Sequence, residues 1–194
     1  MQAPPRIPLP MKSDPQQVVA ETRRWLERAV IGLNLCPFAK AVHVKGQVHY
    51  AVSVARDWDG VMQDLARELH ALLGLPAAQR DTTLLIVPSG LDDFIEFTGL
   101  VAQGERMMAQ EGARGVVQLA SFHPRFEFAG SDPADVANYT NRSPHPTLHL
   151  LREDSIARAV AAVPNAAAIY EANIVTLQRL GRAGWDDLFA KEAP

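Results

Sequence analysis

Thirteen consecutive residues, Asn141-Arg142-Ser143-Pro144-His145-Pro146-Thr147-Leu148-His149-Leu150-Leu151-Arg152-Glu153, hold two His, two Arg, one Glu, one Asn and one Ser. Two arginines suit planar, bidentate binding of a carboxylate or phosphate, and a histidine can act as general base or metal ligand. His145, His149 and Glu153 are each four apart, which on a helix would place them on one face as in zinc sites. Pro144 and Pro146 argue against a helix there. On a strand, His149 and Leu151 share one face, and Leu148, Leu150 and Arg152 share the other. The alternative for both arginines is a structural pair with Asp135, Glu127 or Glu153.

Cys36-Pro37 is the second point of chemical interest, and Cys36 is the only cysteine. Proline is comfortable at the first position of a helix. Cys36 would then sit at an N-cap, where free backbone N–H groups, the helix dipole and nearby Lys40 favour a thiolate. The plain alternative is a small buried hydrophobe before a turn. The third point is His123-Pro124, which ends an apolar run. In open α/β sheets ligands collect outside the carboxyl ends of strands, so His123 is either a base or ligand there, or a histidine completing its own hydrogen bonds. These residues define the candidate site: Cys36, His123 and His149 as catalytic groups, with Asn34, Lys40, Asn141, Arg142, Ser143, Arg152 and Glu153 as substrate-binding groups. A lone cysteine excludes an internal disulfide and a multi-cysteine zinc or iron–sulfur site.

The elements that must position these groups follow from pattern. Residues 1–13 read as a Pro-rich disordered arm, and 14–194 as a single α/β domain. Asp14-Pro15 caps a helix whose Val18, Trp25, Leu26, Ala29 and Val30 recur at helical spacing through Leu33. Strands are predicted at 48–55, 82–87, 116–122 and 147–152; helices are predicted from a cap at Asp57 or Asp59 to Leu73, at 92–111, from a cap at Asp154 or Ser155 to Val163 and at 169–180, with a last turn at 185–190. Gly99 and Gly104 weaken the second of these helices. Segment 125–146 has no periodicity, and a loop that long is usually functional or disordered. The alternation predicts a four-stranded, mostly parallel or mixed sheet covered by helices.

Composition limits the function. The chain of 194 residues has 47% hydrophobic and 21% charged residues and a formal charge of −3. That argues against a general nucleic-acid binder, and no apolar run approaches the roughly 20 residues that span a bilayer. A cytoplasmic protein is the natural expectation. Phosphate-binding Gly-rich loops and the nucleophile elbow of α/β-hydrolases are missing from the sequence. Trp185 and Phe189 leave a homodimer contact and packing onto the same domain both open.

Ile31-Gly32-Leu33-Asn34-Leu35-Cys36-Pro37-Phe38-Ala39-Lys40, Ala120-Ser121-Phe122-His123-Pro124 and the stretches from Asn138 to Pro144 and Leu148 to Glu153 together resemble a bacterial protein family catalogued as a domain of unknown function. The likeness runs from about Val18 to Gly181. It implies membership but brings no activity, cofactor or catalytic role with it. In that family pattern an aromatic is common where His145 stands, which speaks against His145 as a ligand.

Three functional expectations result. The first is an enzyme performing hydrolysis or group transfer on a polar anionic metabolite, with Cys36 or a bound water as nucleophile, His123 or His149 as base, Arg142 and Arg152 holding the anion, and loop 125–146 closing over it. The second is a protein that binds haem or a transition metal through Cys36, His123 and His149 without turnover. The third is an interaction protein whose polar residues form a buried network around the long loop.

Overall fold

The computed structural model describes residues 14–161 and 168–190. The predicted arm, residues 1–13, and the predicted helix end at Val163 lie outside these residues. Helix α1, Pro15–Trp25, starts at Asp14, whose carboxylate accepts from the Gln16 amide. It continues as a π-helical segment, Leu26–Ile31. A short α2, Ala39–Val44, leads to β1, Val48–Val52. Then come α3, Trp58–Leu73; β2, Thr82–Ile86; α4, Phe94–Gln110; β3, Val117–Phe122; and β4, Thr147–Arg152. Helices α5, Glu153–Ala161, and α6, Ala168–Asp187, close the chain.

The four strands form one sheet in the order β1-β2-β4-β3. β1 and β2 are parallel and joined by α3, whereas β4 runs antiparallel to both β2 and β3. The sheet is therefore mixed. The run Thr82 to Ile86 is buried throughout because β2 is central and covered on both faces.

Strand alternation sorts the side chains into two layers. Leu85, Leu148, Leu150 and Val117 pack with Leu65, Leu69 and Leu72 of α3 and Phe97, Leu100 and Met108 of α4. On the opposite face Leu84 and Ile86 pack with Val18 of α1, and Phe122 joins the cluster of Trp25, Leu26 and Val30. The two glycines that weakened α4 as a prediction lie where it meets its neighbours. A Cβ on Gly99 would stand 2.8 Å from the Trp58 ring, and one on Gly104 would stand 2.9 Å from Leu65 and 3.1 Å from Leu119. Close packing outweighs helix propensity here.

Segment 125–146 is ordered around a 3-10 turn, Val136–Asn141. Asn138 is fully buried and holds the segment together: its Oδ1 accepts from Phe128 N at 3.0 Å and Ser131 Oγ at 2.8 Å, and its Nδ2 donates to the Asp132 carbonyl at 2.9 Å. α6 carries a kink at Gly181, whose φ of 65° and ψ of 177° are non-helical; the sequence had placed the helix end there. Beyond it Trp185 is buried against Tyr139, ring centroids 5.0 Å apart, and Phe189 packs on Trp185. Both aromatic residues therefore pack onto their own chain.

Gly104→Val should overfill the α3–α4–β3 contact and destabilise the protein by about 1–3 kcal/mol. A urea-denaturation midpoint equal to that of the parent protein would refute the close-packing account of this glycine.

Candidate functional site

A cavity of about 620 Å³ lies between the sheet and the first turns of the chain. Its floor is the α1 face of the sheet, with Leu84, Ala120, Phe122, His149 and Leu151. Trp25, Leu26 and Val30 form one wall, Cys36, Pro37 and Phe38 the next, and Ser155, Ile156 and Arg158 of α5 the far side.

The second wall depends on the π-helical segment. Gly32 N donates to Glu27 O at 3.0 Å and Leu35 N to Val30 O at 2.9 Å, five-residue steps in place of four. Asn34 then takes a left-handed conformation, φ 56°, which asparagine tolerates better than most residues. The reversal buries Leu35, and Asn173 of α6 pins it by donating to the Leu35 carbonyl at 2.8 Å. Asn34 itself is exposed and serves the turn, and Lys40 is also exposed; neither lines the cavity.

Cys36 lies in the turn before α2, but the N-cap of that helix is Phe38 and no side chain caps it, so the expected cap role is not found. The backbone N–H groups of Phe38 and Ala39 lie near the sulfur and favour its ionised form, while the Ala39 N–H bonds the Cys36 carbonyl at 3.2 Å. The expected thiolate does not follow. Burial pushes the thiol up from its ordinary value, and the two N–H groups offset this only in part. α2 is six residues long, and its dipole is correspondingly weak.

His149 projects from β4 into the same cavity. The Thr82 hydroxyl gives its proton to the Leu150 carbonyl at 2.7 Å, so at the 2.6 Å contact with His149 Nε2 the ring is the donor. That leaves a lone pair on Nδ1, which no side chain or backbone group bonds among the described residues. The ring is tilted against Phe122, centroids 5.9 Å apart, and burial holds its pKa down to about 4. At neutral pH the cavity therefore presents a neutral imidazole and a neutral thiol.

His123 is elsewhere. Phe122 faces the cavity, so the next residue faces the other layer, where His123 is 1% exposed between Phe94 and Phe97. Its Nδ1 accepts from Arg125 N at 3.0 Å and its Nε2 donates to Leu91 O at 3.0 Å. Both ring nitrogens are used, and the expected third member of the site is a structural residue. Burial lowers its pKa as well.

The arginine motif divides. Arg142 stacks 4.5 Å from the Tyr139 ring and donates to Phe126 O at 3.2 Å and Pro133 O at 2.9 Å, so it clamps the long loop. Asn141 accepts from His123 N through its carbonyl, and Ser143 Oγ donates to His145 O at 2.6 Å. His145 pairs with Glu21 at 2.8 Å. Arg152 borders the cavity but donates to the carbonyls of Leu72, Leu75 and Arg80, capping the end of α3, with Asp81 4.0 Å away. Glu153 contributes its amide to Val116 O at 2.9 Å and does not line the cavity. Lys45 and Arg158, which do line it, were not singled out in the sequence. Their only signal is a surface cation near the end of a helical pattern. Among the described residues no group of three or more His, Cys, Asp or Glu side chains is placed to hold a metal ion. No helix among them is long and apolar enough to cross a membrane.

Fold and cavity together define a class: an α/β chain built on a mixed four-stranded sheet, with an apolar hollow on one face. The chain belongs to DUF1415, a family described as a protein of unknown function, whose model matches residues 17–187. No curated protein and no solved structure matches it.

Two outcomes test this geometry. Arg142→Ala removes a charged donor from two loop carbonyls and should lower stability by about 1–3 kcal/mol, with faster amide exchange across 125–146. Unchanged exchange there would show that the clamp is not needed. The second test concerns pH. His149 has a folded pKa of about 4 against an ordinary 6.5, so the unfolded chain takes up the proton first. Its contribution is complete above about pH 6.5 and is lost as pH falls towards 4, by about 3 kcal/mol. His149→Gln should flatten much of that acid slope in denaturation measured from pH 7 to 4, leaving the parts due to His123 and His49, whose pKa values burial also lowers.

Proposed function

We propose that this protein binds a small amphipathic molecule, an apolar body with an anionic head, in the 620 Å³ cavity. The observation that carries this reading is an apolar hollow of ligand size in which the His149 Nδ1 lone pair lacks a protein partner. This lone pair repels an anion, so the head lies at the cationic rim and a hydroxyl or amide on the ligand's body meets Nδ1. Charge supports the head group. Three cations, Lys45, Arg152 and Arg158, border the cavity against one carboxylate, Asp81, a local excess of two in a chain of formal charge −3. Asp81 is engaged by Ser155 and lies near Arg152. Lys45 has no partner among the described residues, and Arg158 donates only to Ser155 Oγ, at 3.0 Å.

Decanoate is a suitable probe. It should bind saturably by calorimetry, and decanol should bind at least about tenfold more weakly, the effect of about 1.4 kcal/mol. Ala120→Trp, which fills the floor, should abolish binding while the protein stays folded. Equal binding of decanoate to the Ala120→Trp protein would defeat the assignment of the cavity.

A second reading, an acyl transferase or hydrolase, is favoured by one observation: Cys36 and His149 line one cavity. Cys36 Sγ would attack a carbonyl carbon of the ligand to form a thioester. Its proton would pass to His149 Nδ1, and the leaving group would depart with the bonding pair. With 4-nitrophenyl decanoate this predicts one decanoyl group on Cys36 by mass spectrometry and none on the Cys36→Ser protein; an unmodified Cys36 removes the reading. A closed transition-metal site has less support. Cys36 and His149 supply two ligands where a closed transition-metal site uses four, and Nε2 of His149 is committed to Thr82.

A further inference from the structure

Arg142 and Ser143, left aside by the main cavity, line a second hollow of about 460 Å³ that shares only Trp25 with the first. Its walls are aromatic: Trp25, Tyr139, Trp185 and Phe189. Its charged residues are Arg24, Arg142 and Arg182 against Glu21, again an excess of two positive charges. Glu21 is not free to neutralise them, since Oε2 meets His145 at 2.8 Å and Oε1 accepts from Gln17 at 2.8 Å.

Two of the guanidinium groups are held in place by backbone. Arg24 Nη2 donates to the carbonyls of Phe189 and Ala190, both at 3.0 Å, while Arg142 is held by Phe126 O and Pro133 O and stacks on Tyr139. Each guanidinium has five N–H donors. Two are used on each, so three remain on each. Arg24 Nε is buried and has no hydrogen-bond partner among the described residues. A buried donor without a partner is unfavourable unless something fills its place. Immobilised cations also lose little further freedom on binding, which raises affinity for a rigid, planar partner.

We infer that this second hollow is a binding site for a planar aromatic anion, a ring carrying a carboxylate or phosphate, with the ring against the indoles and the anion between Arg24 and Arg142. Arg182 is exposed and pairs loosely with Asp186 at 3.7 Å, so it adds charge at the rim. The site is independent of the amphipathic-ligand cavity and of any chemistry at Cys36.

The test is calorimetry with 2-naphthoate and 2-naphthyl phosphate, with 2-naphthylmethanol as the uncharged control, on the parent protein and on the Ala120→Trp protein whose main cavity is filled. At least one anion should bind both proteins alike, about tenfold or more tighter than the alcohol, and the tighter anion identifies the head group. Arg24→Lys keeps the charge but loses the fork and should weaken binding about tenfold. Arg182→Gln, at an exposed position that leaves the fold intact, should weaken it about threefold and reduce its salt dependence. Three results would overturn the inference: the alcohol binding as tightly as both anions, no saturable binding of either anion at millimolar concentration, or anion binding that Ala120→Trp abolishes and Arg182→Gln leaves unchanged.

Discussion

The register of β4 between β2 and β3 is the constraint on which the rest depends. Opposite Thr83 and Leu119 it places Leu150, and one residue earlier it sets His149 opposite Leu84 and Ala120. Because side chains alternate, the leucines must enter the α3–α4 core and the histidine must face the other layer. A slip of one residue would bury the imidazole among Leu65, Leu69 and Phe97 and turn the leucines outward. The apolar core thus fixes where the imidazole on the cavity floor stands, and the Thr82 hydroxyl fixes how its ring is turned.

Much of this arrangement can be read from residue pattern. The Asp14-Pro15 cap, the helix closing at Gly74 and the alternation of His149 with its leucines are local features, and each is found as expected. What local pattern cannot supply is the partner of a strand. β2 and β4 are both apolar runs, which parallel and antiparallel central strands share, so the insertion of β4 in the opposite sense is a tertiary fact. The π-helical segment hides for a similar reason: its apolar residues still recur at near-helical spacing.

The site shows the same division. Cys36 and His149 were found by chemical type and do line one cavity. His123 was chosen for its place at the end of a strand, but the parity of β3 sends it to the opposite layer once Phe122 faces the cavity. Arg142 and Arg152 have the geometry of anion binders, yet much of that hydrogen-bonding capacity goes to backbone carbonyls of loops and of a helix end. Composition cannot tell a guanidinium that holds a ligand from one that holds the chain, because both uses exploit the same fork of donors.

The six residues from Leu26 to Ile31 carry one structural consequence for the lineage of this fold. A π segment is an α-helix with a residue added, so excising one residue there would restore regular winding. Everything after it would turn by about 100° around the helix axis and move back by about 1.5 Å. Leu35 would lose its place beneath Asn173, and the thiol wall would swing away from the imidazole floor. The hollow exists because the helix is one residue longer than its turns require, so homologues of altered length in this segment are not expected to share it.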